Sequence, residues 1–281
     1  MRTMNTQEST KKFYRDVYMT NGHDYGKFKS LTESGISGNH QLDIVKKCLE
    51  QTNIGAVAAV AEIGCGLGLL SSCHPRWIGY EYSSTAVSLS KQLFGSDINI
   101  VEADARNLPL PSDSIDFLFS FAALEHIPEV ERAFSEIERV LRPGGVALLS
   151  PAWNCRAWTV KKLQQRPYSE LSLLEKFSKL TIPIRDSLPL RAIYSIGPRI
   201  KREILFKVSN RALPLKYKKL EPDFSLWERY DHISDDDAFI SMDAHAAIIY
   251  FLSRRWVCVS HPSILARLMC RGEEIVFKKY S

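Results

Sequence analysis

No stretch of this 281-residue chain holds the roughly 18 consecutive apolar residues that a membrane-spanning helix needs, so a helical span is excluded. No charged segment followed by a short apolar core opens the chain, so a secretory route is not expected and a cytoplasmic protein is. Cys48, Cys65, Cys73, Cys155, Cys258 and Cys270 form no Cys-x-x-Cys pair. This argues against a zinc ribbon and against a disulfide framework, and it fits reduced thiols. Cys73-His74 reads as packing and loop, so no metal is expected. Internal repeats and low-complexity tracts are absent, which removes solenoids and disordered linkers from consideration. What is left is a composition of 45% hydrophobic and 25% charged residues, ordinary for a globular chain of one enlarged domain or two small ones.

A missing glycine carries the first chemical information. The apolar run Ala56 to Val60 leads into Ala61-Glu62-Ile63-Gly64-Cys65-Gly66-Leu67-Gly68, followed by Leu69-Leu70-Ser71-Ser72. A buried strand entering a glycine turn and then a helix is a nucleotide-binding arrangement. A dinucleotide fingerprint requires a further glycine where this chain has Leu69. Glu62 stands two residues before the first glycine, and a carboxylate there would repel a pyrophosphate on a helix N-terminus. It suits a cofactor with positive charge and no phosphate. S-adenosylmethionine, with its sulfonium and ammonium groups, is such a cofactor.

The following segments agree. Trp77 to Glu81 reads as a second short strand ending in an acid, placed where a carboxylate can take both ribose hydroxyls. Ser83 or Ser84 caps a helix running to about Phe94. Ile98 to Glu102 is a third strand, ending at Ala103-Asp104-Ala105, where an acid can accept a hydrogen bond from an adenine amino group. Ser114 to Ser120 is a fourth strand, Val130 to Leu141 a helix, and Val146 to Ser150 a fifth strand. Strands alternating with helices at this spacing give a parallel, doubly wound sheet. Glu62, Glu81, Asp104 and Phe121 all fall at strand C-termini, where open α/β sheets bind ligands. Tyr82, directly after Glu81, is placed to stack on adenine.

The ordered set resembles the class I S-adenosylmethionine-dependent methyltransferases over roughly residues 40 to 155. It comprises Glu62-x-Gly64-x-Gly66-x-Gly68, Glu81, Asp104 before Asn107-Leu108-Pro109, Asp113-Ser114-Ile115-Asp116, Glu125-His126 and Leu141-Arg142-Pro143-Gly144-Gly145. The resemblance implies a Rossmann-like, mostly parallel seven-stranded sheet with helices on both faces. It implies S-adenosylmethionine bound by Glu62, Gly64, Cys65, Gly66, Gly68, Glu81, Tyr82, Asp104, Ala105 and Phe121. It also implies a flap over the cofactor from residues 1–38, including Phe13-Tyr14 to Tyr25, and a sheet closed by two late strands, Trp256 to Val259 and Glu274 to Lys278, the last antiparallel. The organisation expected is a flap (1–38), a cofactor-binding core (39–155), a basic insertion or substrate cap (156–226), and a C-terminal helix with closing strands (227–281).

The net charge of +5 is unevenly spread. Residues 151–220 hold 16 Lys and Arg against 4 Asp and Glu, so the rest of the chain is acidic. Ile200, Ile204, Leu205 and Val208 recur at helical spacing with Lys201, Arg202, Lys207 and Arg211 between them, while Pro183, Pro189, Pro198 and Pro214 divide the segment into short pieces. Three readings stay open: a solvated lid packing its apolar stripe on the sheet domain, recognition of an anionic acceptor, and attachment to an acidic membrane surface at the inner face of the membrane. Nucleic acid is disfavoured, because the cations follow no nucleic-acid motif. Beyond the insertion, Ser241 is the expected cap of a helix through Leu252.

Methyl transfer to a hydroxyl benefits from a general base, and histidine suits neutral pH. His126, just past strand four, is one candidate; Asp231 with His232, on a polar loop, is another. Against these stands the ordinary role of a histidine that caps a helix or bonds backbone. Trp153 and Trp158 are candidates for flooring a sugar or apolar ring, against plain packing. The expected function is O-methylation of a small-molecule, sugar, glycan or lipid-linked acceptor. The alternatives are N- or C-methylation, including of an RNA base, and a protein that binds the cofactor without turnover. An Asn/Asp-Pro-Pro-Tyr/Phe signature is missing; Phe121-Ala122-Ala123-Leu124 stands in its place.

Overall fold

The computed structural model describes residues 11–16, 38–231 and 235–280. These form two compact units: one of residues up to Phe121 with Arg132–Leu149, the other of Ala122–Glu131 with Ser150–Tyr280. The principal sheet has the order β3-β2-β1-β4-β5-β9-β8. Its strands are β1 (Val60–Ile63), β2 (Trp77–Glu81), β3 (Ile100–Glu102), β4 (Ile115–Phe121), β5 (Leu141–Ser150), β8 (Trp256–Cys258) and β9 (Ile275–Lys279). β1 pairs in parallel with β2 and β4, and β2 with β3, while β8 and β9 are antiparallel. The mostly parallel, seven-stranded, doubly wound sheet is therefore the observed architecture.

In the first unit, every residue of β4 is buried, as expected of a central parallel strand covered on both faces. Helix α1 (Gly38–Gln51) precedes β1, and α2 (Ser84–Phe94) follows β2. Ser83 caps α2 by accepting a hydrogen bond from the Ala86 N–H at 3.3 Å. Helix α3 (Val130–Val140) sets Ala133, Phe134, Ile137 and Val140 at helical spacing, and all four are fully buried. Each large side chain so removed from water contributes about 1.5–3 kcal/mol.

The second unit carries the insertion. After α4 (Ala157–Val160) come α5 (Leu173–Arg185) and the long α6 (Leu188–Val208), then a small antiparallel ribbon of β6 (Tyr217–Lys219) and β7 (Ile240–Met242), α7 (Ala244–Leu252) and α8 (Ile264–Met269). A capping box starts α5: Ser172 Oγ accepts from the Glu175 N–H, and Glu175 Oε2 accepts from the Ser172 N–H. Trp158, Leu163, Leu171 and Ile182 form a local apolar core.

Three sequence expectations are corrected in this unit. Pro183 and Pro198 do not divide the insertion; they lie inside α5 and α6, and Pro189 sits in the first turn of α6, where a missing N–H costs nothing. The apolar stripe of α6 does not pack inward. Ile200, Ile204, Leu205 and Val208 are exposed, and the buried residues are Arg199 and Glu203. The cause is a set of buried ion pairs. Arg199 donates Nε and Nη2 to the Asp243 carboxylate at 3.1 and 2.7 Å, and Arg202 Nη1 donates to the same group at 2.8 Å. Glu203 accepts two bonds from Arg267, at 2.7 and 2.8 Å, and lies 3.2 Å from His245 Nε2. These contacts hold the helix beyond Pro198. Finally, Asp243, not Ser241, caps α7, accepting from the His245 N–H. No helix of the described residues is long and apolar enough to cross a membrane.

Candidate cofactor site and the histidine beside strand four

The strand order β3-β2-β1-β4 lines up the C-termini that carry Asp104, Glu81, Glu62 and Phe121. Between β1 and β2 the chain turns through Gly64, Gly66 and Gly68, whose φ values are 68°, 54° and 76°, and the helix expected after them is replaced by one 3-10 turn, Ser71–Cys73. This left-handed backbone favours glycine. At Gly68 an added Cβ would also lie 2.6 Å from Ile100 Cδ1. The Gly64 N–H donates to the Tyr80 carbonyl at 2.8 Å, which docks the turn on β2.

Glu81 organises this turn. Its Oε2 accepts from the Gly66 N–H and its Oε1 from the Ser83 N–H, each at 2.8 Å. Burial pushes the Glu81 carboxyl above its ordinary range, opposed by the N–H groups of Ser83, Gly66 and Tyr82. Glu62 is 4% exposed and accepts from Trp77 Nε1–H at 2.9 Å. Burial raises its pKa to about 8; the Trp77 bond lowers it and the Glu81 charge raises it further. Cys65 is buried between these two acids, and burial with their charges pushes its thiol up. Its sulfur also explains Gly79, where a Cβ would stand 2.5 Å from Cys65 Sγ and 2.6 Å from the Trp77 ring.

Asp104 follows β3 and is already engaged. Its two oxygens accept from Arg106 Nε and Nη2 at 2.9 and 2.6 Å, and Oδ1 also takes the Arg106 N–H. Arg106 sets the Asp104 carboxyl below its usual range, against the cost of burial. Any further donor must share a carboxylate that still has lone pairs to offer. Ala105 is half-buried beside it, and Phe121 ends β4 with its ring 6.1 Å from Phe119. Tyr82 lies under Lys11 Nζ, 5.3 Å from the ring centre, and Lys11 also pairs with Glu102 at 3.6 Å. Residues 11–16 are helical, Gly38 opens α1, and the remainder of the proposed flap, 1–10 and 17–37, lies outside the described residues.

A buried acid that burial makes reluctant to ionise is stabilised by an adjacent cation, and a glycine turn with acids on either side excludes phosphate. The residues present therefore fit S-adenosylmethionine. Glu62 and the glycine turn would hold the ammonium end, Glu81 the ribose, and Tyr82, Asp104, Ala105 and Phe121 the adenine.

His126 lies in the second unit, in a turn of 3-10 helix, Leu124–His126. Its Nδ1 is 3.2 Å from Asp237 Oδ2, and its Nε2 is 3.6 Å from Glu125 Oε1. Burial disfavours the imidazolium, but Glu125 and Asp237 outweigh it and raise the pKa. Glu125 is itself buried. Its Oε1 accepts from the Ala152 N–H at 3.0 Å, and its Oε2 has no hydrogen-bond partner among the described residues. Asp237 and Glu125 are thus the carboxylates within 4 Å of His126, and Asp235 adds to their effect. The backbone carbonyl of Asp231 accepts from Lys162 Nζ at 2.8 Å and Gln165 Nε2 at 2.9 Å. His232 lies outside the described residues. Trp158 packs in the insertion core, and Trp153 Nε1 donates to the Glu273 carbonyl at 3.1 Å. Glu125-His126 was visible as a motif; Asp237 carried only the weak signal of an acidic run, Asp235-Asp236-Asp237.

Part of the chain is similar to known methyltransferases. Residues 61–149 match the family model described as "Methyltransferase domain". A probable S-adenosylmethionine-dependent methyltransferase of Mycolicibacterium smegmatis is 36% identical over 95 residues, 32% of this chain and 37% of that protein. A malonyl-[acyl-carrier protein] O-methyltransferase of Methylovorus is 32% identical over 126 residues, 39% of this chain and 43% of that protein. A phthiotriol/phenolphthiotriol dimycocerosates methyltransferase of Mycobacterium tuberculosis is 29% identical over 141 residues, 47% of this chain and 52% of that protein. The chain thus spans about half or less of the length of these curated relatives. Among solved structures, a SAM-bound amino pentose methyltransferase from Micromonospora echinaspora aligns at 22% identity over 46% of this chain and 56% of that chain, with a TM-score of 0.39. Residues 61–149 of this chain form a class I S-adenosylmethionine-dependent methyltransferase domain.

Proposed function

We propose that the protein transfers the methyl group of S-adenosylmethionine to an oxygen of a small-molecule, sugar or lipid-linked acceptor. The observation that carries this reading is His126 held between Asp237 and Glu125. The bound cofactor supplies an electrophilic methyl on sulfur; the chain's residues must orient it, exclude water and handle a proton. Glu81 fixes the glycine turn through the Gly66 and Ser83 N–H groups, so the turn is organised before the cofactor arrives. The Asp237 carboxylate 3.2 Å from Nδ1 favours hydrogen on that nitrogen of His126, and Nε2, 3.6 Å from Glu125 Oε1, then accepts the proton of an acceptor hydroxyl that enters beside Glu125. Because Glu125, Asp237 and Asp235 favour the imidazolium, the neutral base grows in only above the ordinary histidine range near pH 6.5. The name of one relative, a malonyl-[acyl-carrier protein] O-methyltransferase, supports oxygen as the acceptor atom.

The test is transfer of a labelled methyl group into lipid, glycan and small-molecule fractions, with the product's new bond identified by mass spectrometry. His126→Gln should lower turnover by about 100- to 10,000-fold with unchanged cofactor affinity, the range for one general base. Full turnover in that variant, or label attached to nitrogen or carbon, overturns the reading.

Contact with an anionic bilayer belongs to the same proposal. On α5, Leu173, Leu174, Phe177, Leu180 and Ile184 are exposed at helical spacing, and Leu174 is 84% exposed. On α6, Ile193, Ile196, Ile200, Ile204 and Val208 continue the pattern. Lys176, Lys201 and Lys207 lie between them. An apolar stripe edged with lysine is complementary to the headgroup region of acidic lipid, where each cation contributes about 1 kcal/mol. Co-sedimentation with phosphatidylglycerol vesicles, lost in Phe177→Gln/Ile200→Gln, is expected. Absence of vesicle binding, or a dimer that the same substitutions dissociate, refutes it.

A further inference from the structure

The second unit contains a cavity of about 830 Å³ between α4, α6, the β6–β7 ribbon and the loop before β9. Eight Lys or Arg side chains line it, against one carboxylate, Asp243. We infer that this cavity binds a phosphoryl or diphosphoryl group attached to a flat ring. It names the group by which the acceptor proposed above would be held, and to that extent rests on that reading; the binding measurement below does not.

The single lining carboxylate is spoken for, because Arg199 and Arg202 both close on Asp243. Asp186 takes Arg156 at 3.3 Å and reaches Arg191 only at 3.9 Å. Lys216, Lys218 and Arg271 form no ion pair among the described residues. The surplus positive charge shows on Arg156, whose pKa is lowered first by burial and next by the like charge of Arg191. Cations crowded against one another in a concave site raise the local concentration of anions. A lone carboxylate ligand would satisfy one or two of these donors. A phosphoryl group offers several anionic oxygens, and the planar guanidinium fork matches it bidentately.

The aromatic lining supplies the second half of the assignment. Trp158, buried in the insertion core, forms the wall behind the guanidiniums of Arg156 and Arg185, which stand 5.6 and 4.7 Å from its ring centre, so the rings with a face to offer are Trp153 and Tyr217. Trp153 is fixed by its bond to the Glu273 carbonyl, and Tyr217 by its hydroxyl bond to Glu131. Rings held this way offer apolar faces at little entropic cost, beside charges that take the anion. A volume of this size accommodates a ring with a diphosphate.

The test is calorimetric titration of the full chain at constant ionic strength with inorganic pyrophosphate and with uridine diphosphate. Both should bind, uridine diphosphate more tightly, and both more weakly as salt rises. Arg191→Gln/Lys216→Gln and, independently, Arg271→Gln should weaken both by about 10-fold or more, the scale of a lost charged hydrogen bond. S-adenosylhomocysteine affinity and melting temperature should stay unchanged, which separates this site from the cofactor domain. Vesicles containing phosphatidic acid give the other source: displacement of bound protein by pyrophosphate assigns a lipid headgroup, whereas soluble binding without displacement assigns a free phosphorylated molecule. No heat with either anion, or affinities that ignore all three substitutions, overturns the inference.

Discussion

Replacing Glu62 by Gln should make cofactor binding insensitive to pH, and the size of the effect follows from the burial of one carboxyl. In the free protein the Glu62 pKa is raised to about 8, so near neutrality the group is mostly protonated. An ammonium held beside it favours the carboxylate and returns its pKa toward the ordinary value of about 4.3. Binding must then release close to one proton at any pH between those two values. Since the free state carries the extra proton, affinity rises with pH across that window and levels off above pH 8. With a free-state value of 8, the ionised fraction grows from about one in a hundred at pH 6 to one half at pH 8. That is about 50-fold in affinity, roughly 2.3 kcal/mol.

S-adenosylhomocysteine is a suitable probe because it avoids turnover. Titration in two buffers of different ionisation enthalpy counts the protons released, and about one is expected at pH 6.5. Glu62→Gln keeps the acceptor for Trp77 Nε1–H while removing the titration, and should bind with a flat pH profile. Glu81 is also buried and also raised, so the variant is essential to the assignment. A flat profile in the parent protein refutes the placement of the ammonium at Glu62. A persistent slope in Glu62→Gln transfers the titration to Glu81.

Other consequences follow from single contacts. Glu81→Ala should weaken the cofactor by about 1.5–3 kcal/mol and lower the melting temperature, since two backbone N–H groups lose their acceptor; Asp104→Ala should cost less, because Arg106 already occupies that carboxylate. Lys162 and Asp236 are fully buried and 2.5 Å apart, so Asp236→Asn should destabilise the second unit by about 3–5 kcal/mol in chemical denaturation, and an unchanged midpoint contradicts the pair. His245 is depressed to about 4, first by burial and next by Arg202, whereas an unfolded histidine titrates near 6.5. The unfolded state then binds more protons between those values, so stability should fall on acidification through that window by up to about 3 kcal/mol, and His245→Gln should remove the dependence.

What could be read from the sequence and what could not separate along one physical line. The glycine turn, the acids at strand ends and the Ser83 cap are set by neighbours within a few residues and by the periods of strand and helix, so local reading found them. The inverted face of α6 was not accessible that way. Periodicity identifies Ile200, Ile204 and Val208 as one face, but it does not say that the face is outside. That depends on Asp243, His245 and Arg267, which follow much later and bury Arg199 and Glu203 by pairing with them. The same holds at His126. The histidine beside strand four is legible in the sequence, but the carboxylate 3.2 Å from its Nδ1, Asp237, belongs to a distant polar loop. Lys162, from the insertion, binds the Asp231 carbonyl and the Asp236 carboxylate together, a link between distant segments that no local pattern announces. A hydrophobic pattern is enough to place a helix, whereas the direction in which its charges point is decided by partners that only the folded chain assembles.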